Sequence, residues 1–109
     1  MANIYKNAKV NLTTTDITTV YTAPSDSRAI IKSILVCNTK VNAATITVTI
    51  TDASSAIFEL YDAKDIAAFT TEQLLTQPVI LEENEILKVE ASNANRLHVV
   101  ASILEINRD

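Results

Sequence analysis

Residues 45–51 read Thr-Ile-Thr-Val-Thr-Ile-Thr, and this alternation decides the fold class. Successive side chains of a β-strand point to opposite faces, so the run places Ile46, Val48 and Ile50 on one face and the threonines on the other. A shift of one residue would bury the hydroxyls in place of the aliphatic side chains. The run therefore predicts a strand that is buried on one face only.

Two longer stretches, 28–38 and 96–106, carry apolar side chains at both sets of alternating positions. This pattern is typical of a central strand covered on both faces, or of a strand that changes sheets midway. We expect one cover to be the other sheet and the second to be another subunit. Shorter strand candidates with β-branched composition are 8–12, 17–22, 56–61, 79–81 and 86–91.

Turn-forming residues separate these candidates. Short strands at a spacing of roughly 8–12 residues predict an all-β fold, an antiparallel β-sandwich of about eight strands with jelly-roll or immunoglobulin-like topology. The chain has 109 residues and is 48% hydrophobic, which suffices for a core of its own. We expect a single domain over 1–109, with 1–8 as an extended N-terminal arm.

The segment 62–76 fits a sandwich less well because it is rich in Ala, Lys, Glu, Gln and Leu, which are good helix formers. Ile66 and Phe69 are spaced by three, and Asp62 followed by Asp65 would suit the N-terminal end of a helix dipole. Two interpretations stay open here, a short helix or a strand followed by a loop.

The chain contains no glycine. Positions that require φ > 0 are therefore expected to fall to Asn or Asp, whose short polar side chains tolerate that conformation best. The same absence argues against phosphate-binding loops, dinucleotide-binding fingerprints and nucleophile elbows, because each needs glycine where the backbone turns sharply or approaches a ligand.

A formal net charge of −4 gives no attractive field for a phosphate backbone, and the basic residues are scattered, so we expect no nucleic-acid partner. No apolar run is long enough to cross a membrane, and the first residues lack the layout of a secretory signal. The single cysteine fits folding in a reducing cytosol.

Candidate chemistry is sparse. Cys37 and His98 could meet as nucleophile and base if their strands were neighbours, but we favour a packed thiol and a sheet-face imidazole, because the sequence shows neither a third orienting group nor an oxyanion hole. Asp62 with Asp65, and the acidic turn 82–85, lack the layout of a calcium loop. We expect no enzyme, no catalytic residue, no metal and no cofactor.

The candidate partner-contact surface comes from two segments. A row of threonines on a sheet face offers an uncharged surface for docking on a protein lattice, although Thr also favours strands through β-propensity alone. The N-terminal segment offers a second contact. The predicted contact residues are Ile4, Tyr5, Lys6, Thr45, Thr47, Thr49 and Thr51.

The order of several segments resembles small virion proteins of tailed bacteriophages, particularly marine, cyanophage-like ones. The stretches that carry the resemblance are TVYTAP at 19–24, AIIKSILVCN at 29–38, ATITV at 44–48, LEENEILKV at 81–89 and RLHVVASILEI at 96–106. Many such proteins have Gly at the turn before the last strands. This chain has Asn84 and Glu85 in that region.

The resemblance implies a β-sandwich virion protein that is made in the host bacterial cytoplasm and built into the particle in many copies. The function it favours is a capsid decoration or cement protein that binds the outer face of the major capsid lattice and stabilises the head. Its partners would be the major capsid protein, or other virion proteins, and copies of itself. The alternatives are a neck, tail or fibre-base protein and a carbohydrate-binding surface module; the absence of Trp disfavours the latter.

Overall fold

A computed structural model describes residues 2–107 of the chain, which form nine β-strands and no helix. The strands are β1 (Ala2–Asn11), β2 (Thr18–Thr22), β3 (Ser27–Asn38), β4 (Ala44–Thr51), β5 (Ile57–Ile66), β6 (Thr71–Gln73), β7 (Val79–Leu81), β8 (Ile86–Ala91) and β9 (Leu97–Asn107).

The strands form two antiparallel sheets. Sheet 1 has the order β1-β9-β3, with β6 and β7 pairing consecutive parts of the free side of β3. Sheet 2 has the order β2-β8-β4-β5. When β6 and β7 are counted as one interrupted strand, the chain forms two four-stranded sheets in the order of a jelly roll. The all-β sandwich prediction is confirmed, and the topology differs from the immunoglobulin order.

The core is aliphatic and lies between the sheets. In β4, Ile46 and Val48 are fully buried and Ile50 packs against the core. Sheet 1 contributes the alternating set Leu97, Val99, Ala101 and Ile103 of β9. The run at 45–51 therefore faces inward with its isoleucines and valine, as its alternation predicts.

A β-bulge in β3 accounts for the apolar residues on both of its alternation sets. The register between β3 and β9 shifts between Ile31 and Ser33, and both Ile31 and Ile34 consequently face the core. Ile30 and Leu35 point outward instead. The strand stays in sheet 1 along its whole length, so the predicted alternative of a strand that changes sheets is wrong.

The segment 62–76 contains no helix, and the helical interpretation is wrong. β5 continues to Ile66, which is fully buried, and β6 follows after a short loop. Ala63 has φ of 51° and Phe69 has φ of 54°, values that an α-helix cannot contain. Burial of Ile66 and pairing with β4 outweigh the helix propensity of the exposed residues.

Five described residues have positive φ. Asn84 and Asn95 agree with the expectation that Asn replaces glycine at such positions. Ser55, Ala63 and Phe69 do not. The backbone N–H of Ala63 donates to Thr47 Oγ1 at 3.0 Å beside an irregularity in the β4–β5 register, so the bulge, and not the side-chain type, imposes this conformation.

Residues 2–8, within the segment interpreted as an N-terminal arm, form the first part of β1. This strand pairs with β9 from Ala2, opposite Asn107, to Asn11, opposite His98. Position 1 lies outside the described residues. The segment is an edge strand of sheet 1.

Candidate interaction surfaces

The cysteine and the histidine lie directly opposite each other. Cys37 in β3 pairs with His98 in β9, and both point away from the core. No hydrogen bond among the described residues joins their side chains, and no carboxylate orients the imidazole. The pair therefore lacks the third group that a nucleophile and its base require.

The acidic side chains of the turn 82–85 make contacts within the turn and with Arg28. Arg28 lies 3.4 Å from Glu83 and 3.9 Å from Glu82, and Glu85 Oε1 accepts the backbone N–H of Glu82 at 2.8 Å. Within residues 2–107, no group of three or more His, Cys, Asp or Glu side chains is placed to hold a metal ion. The described part of the chain likewise has no helix long and apolar enough to cross a membrane.

The outward surface of sheet 1, called face 1 below, is apolar across its full width. The strand registers align Tyr5 of β1, Leu104 of β9, Ile30 of β3 and Ile80 of β7 in one row. Tyr5 is 75% exposed and Ile80 is 61% exposed. Scattered surface hydrophobes are ordinary, but a contiguous row is typical of an interaction surface.

Face 1 also carries positive charge. A second apolar pair, Leu35 opposite Val100, lies beside Lys9. Lys32 lies at the β3 bulge, with its Nζ 5.9 Å from the centroid of the Tyr5 ring, within the range of a cation–π contact. None of the outward positions of β1, β3, β6, β7 and β9 carries a carboxylate.

The outward surface of sheet 2, called face 2, carries the threonine row and is acidic. Thr45, Thr47 and Thr49 lie opposite side chains of β5 and β8. The charged residues that share this face in register with them are Glu59, Asp65, Lys88 and Glu90. The threonine row therefore lies within a face that has more carboxylates than ammonium groups.

Thr51 departs from the rest of the row because it is only 7% exposed. Its hydroxyl has no hydrogen-bond partner among the described residues. It lines a small cavity of about 70 Å³ together with Ile17 and Ile57. Thr51 is thus an internal part of face 2 and contributes little to its accessible surface.

The N-terminal contact residues are divided between the two sides of β1. Tyr5 belongs to face 1. Ile4 and Lys6 alternate with it and point toward the inner side of sheet 1. Lys6 Nζ lies 3.1 Å from Glu105 Oε2. The seven predicted residues therefore lie on face 1, on face 2 and at the edge of the sandwich between β1 and β2, and they do not form one continuous surface.

The edge between β1 and β2 is closed by a polar cluster that the sequence interpretation did not identify. Glu105 lies on the inward set of β9 and is almost fully buried. Its carboxylate accepts hydrogen bonds from the Tyr21 hydroxyl and from Lys6. The sequence held one signal of this cluster, because Glu105 occupies the same alternation set as Val99, Ala101 and Ile103.

These contacts shift two pKa values in opposite directions. The hydrogen bond from Tyr21 lowers the pKa of Glu105, and Lys6 adds to this effect, while burial opposes it. Burial, with the hydrogen bond and the charge of Glu105, raises the pKa of Tyr21. The cluster therefore keeps the carboxylate charged and the phenol protonated.

One end of the sandwich, called the loop end, carries the β1–β2, β3–β4, β5–β6 and β8–β9 connections. Val41 and Phe69 are exposed there. Asn38 is fully buried beneath two of these connections: its backbone N–H donates to Thr70 O at 2.8 Å. Its side-chain amide donates to the carbonyls of residues 42 and 66, at 2.9 and 3.1 Å. These hydrogen bonds fix the backbone of the connections that carry Val41 and Phe69.

No family model matches the sequence, and no curated protein matches it. Solved structures share its fold. A chain of the T13 particle of infectious bursal disease virus aligns with a TM-score of 0.59 and 12% identity, over 96% of this chain and 31% of that chain. A chain of the Gx strain of the same virus aligns with a TM-score of 0.53 and 13% identity, over 96% and 34%.

A third structure, of Bacillus endospore appendages that form disulfide-linked pili, aligns with a TM-score of 0.58 and 7% identity, over 98% of this chain and 89% of that chain. The chain thus spans about a third of the viral chains that it matches and most of the pilus chain. At these identities the likeness shows the fold alone. The chain is a jelly-roll sandwich that shares its overall fold with a chain of a viral particle and with a chain of a bacterial appendage.

Proposed function

We propose that the chain is a structural, non-enzymatic component of a virus particle, namely a decoration protein that binds the outer face of a tailed-bacteriophage capsid. The observation that carries this proposal is face 1. A row of apolar side chains that crosses four strands, exposed at Tyr5 and Ile80 and half-buried between them in a single copy, is a surface that an assembly would cover. Its partners are other virion proteins and copies of the same chain.

Two further observations support the virion assignment. The jelly roll is shared with the infectious bursal disease virus chain, and the quoted segments resemble small phage virion proteins. A decoration protein reinforces a shell through many symmetric copies, so modest contacts gain strength by repetition.

The loop end is the part of the molecule that we assign to the capsid shell. Val41 and Phe69 are each 70% exposed on adjacent connections, and Asn38 holds both connections by hydrogen bonds. Fixing apolar side chains before binding reduces the entropy lost on docking. The sheet faces then remain available for neighbouring copies.

Imaging of purified particles tests the proposal. We expect density for this chain repeated over the outer surface of the shell. Density confined to one ring at the neck or tail would refute the decoration role and favour the neck, tail or fibre-base alternative.

The loop-end contact has its own test. The double variant Val41→Ser with Phe69→Ser should lose binding to particles that lack the protein. A control variant, Phe58→Ser, removes an exposed apolar side chain at the opposite end of the sandwich and should keep binding. Equal binding by both variants would exclude the loop end as the capsid contact.

A second function, a subunit of a surface appendage, is favoured by one observation: the pilus chain is matched over 89% of its length. A chain of subunits joined end to end by disulfides needs two cysteines in each subunit, and this protein has only Cys37. An appendage built from it would therefore rest on non-covalent contacts. Filaments of the pure protein that resist reducing agent would support this alternative.

A further inference from the structure

The two sheet faces of the chain carry opposite charges, and no ion pair between described residues neutralises them on their own surface. Lys9 and Lys32 are exposed on face 1, and Glu59, Asp65 and Glu90 are exposed on face 2. The four ion pairs formed among the described residues include none of these five side chains. Lys88 offsets only part of the negative charge on face 2. Each face thus presents a field that another surface could neutralise.

The spacing of the charges matches between the faces. Lys9 and Lys32 lie on strands separated by β9, and Glu59 and Glu90 lie on strands separated by β4. Two strand spacings amount to about 10 Å in each case. Along the strand direction, Lys9 and Lys32 are two to three register positions apart. Glu59 and Glu90 are two positions apart, so both separations are about 7–10 Å.

The apolar residues of both faces lie toward the same end of the sandwich. On face 1, Tyr5 and Ile80 lie nearer than the lysines to the end of the sandwich where β3 begins. On face 2, Ile57 and Ile86 lie nearer than Glu90 to the end where β4 finishes, which is that same end. Two copies stacked in parallel, face 1 on face 2, would therefore place apolar side chains on apolar side chains and lysines on glutamates.

From this correspondence we infer that face 1 of one copy docks on face 2 of a second copy. Contacts between two copies of face 1 would bring lysines together, and contacts between two copies of face 2 would bring carboxylates together. The contact is heterologous, so repetition closes into a ring or continues as a stack. It does not depend on which particle or surface the protein occupies.

Light scattering of the purified protein tests the contact. We expect the weight-average mass to rise above 11.9 kDa as the concentration approaches about 1 mM. The variant Lys9→Glu with Lys32→Glu should stay monomeric, as should Glu59→Lys with Glu90→Lys. An equimolar mixture of the two variants should associate again, because each acidic surface then meets a basic one.

Two controls define the surface. Tyr5→Ser with Ile80→Ser should abolish association without any change of charge, with circular dichroism confirming the fold. Lys40→Glu alters an exposed charge at the loop end and should leave association intact. A wild-type protein that is monomeric at all concentrations would overturn the inference. A mixture of the two charge-reversed variants that stays monomeric would do so as well, and so would a Glu59→Lys with Glu90→Lys variant that associates like the wild type.

Discussion

The carboxylate of Glu105 in sheet 1 accepts a hydrogen bond from the phenol of Tyr21 in sheet 2. This contact bridges the two sheets at the edge formed by β1 and β2, where Lys6 completes the cluster. A buried carboxylate is costly unless it is paired and hydrogen-bonded. The edge of the sandwich is therefore held by polar contacts that depend on the charge of Glu105.

The stability of the protein should fall in acid through Glu105. Its pKa is lower in the folded chain than the ordinary value of 4.5. The stabilisation is therefore complete above pH 4.5 and is lost as the pH falls through the lower, folded-state pKa. The substitution Glu105→Gln should lower the free energy of unfolding by about 1–2 kcal/mol at pH 7, and by less at pH 3, as measured by urea denaturation.

The matched control for Glu105 is Glu72. Its carboxylate lies 3.6 Å from Lys64 Nζ, and both side chains are more than a third exposed. Solvent screens such a pair, so Glu72→Gln should change stability by no more than about 0.5 kcal/mol. Equal losses for the two variants at pH 7 would show that the buried cluster has no special role.

Asn38 should be the polar residue on which the loop end depends most. The substitution Asn38→Ala leaves the buried carbonyl of Ile66 and the backbone N–H of Lys40 without their side-chain partners. We expect a loss of about 2–3 kcal/mol, because unsatisfied buried groups keep their full desolvation cost. Urea denaturation measures the loss, and hydrogen exchange of residues 39–43 and 67–70 should accelerate with it.

Asn42 provides the comparison for Asn38. It is exposed, and only its backbone carbonyl takes part in the contact with Asn38. Asn42→Ala should therefore stay within about 0.5 kcal/mol of the wild type. If it destabilised the protein as much as Asn38→Ala, the side chain of Asn38 would not be what organises the loops.

The alternation at 45–51 predicted the buried face of β4 because period-two patterning follows directly from strand geometry. The same reasoning could not tell which residues of β3 face the core, since a bulge at Lys32 reverses the alternation within the strand and no local feature of the sequence marks that bulge. The helical interpretation of 62–76 failed for a related reason. Pairing with β4 and the burial of Ile66 are tertiary effects that local propensity does not contain.

The apolar row of face 1 was harder to predict than the fold. Tyr5 was one of the candidate contact residues, but Ile30, Leu104 and Ile80 join it in one row only through pairing between distant segments. A row across a sheet depends on strand order, which alternation within a strand does not reveal. The charge difference between the faces was hidden for the same reason, because scattered lysines and glutamates separate into two faces only after folding.

Glycine at position 63 should stabilise the protein. Ala63 has φ of 51°, where a Cβ atom costs roughly 1–2 kcal/mol. Glycine removes that cost and loses part of the gain to greater freedom of the unfolded chain. We expect Ala63→Gly to raise the free energy of unfolding by about 0.5–1 kcal/mol in urea denaturation. Ala56→Gly, at a position that does not have positive φ, should lower it, and a loss in both variants would contradict the argument.

Neighbouring residues of β4 should respond oppositely to the exchange of a methyl group for a hydroxyl. Val48 is fully buried, so Val48→Thr places a hydroxyl in the aliphatic core and should cost about 1–3 kcal/mol. Thr49 faces outward, and no hydrogen bond of its hydroxyl occurs among the described residues, so Thr49→Val should change stability by no more than about 0.5 kcal/mol. Val and Thr have nearly the same shape. The change in stability at each position, measured by thermal and urea denaturation, therefore reports whether that face of β4 is apolar or polar. Similar losses at both positions would mean that the threonine row is itself packed against protein.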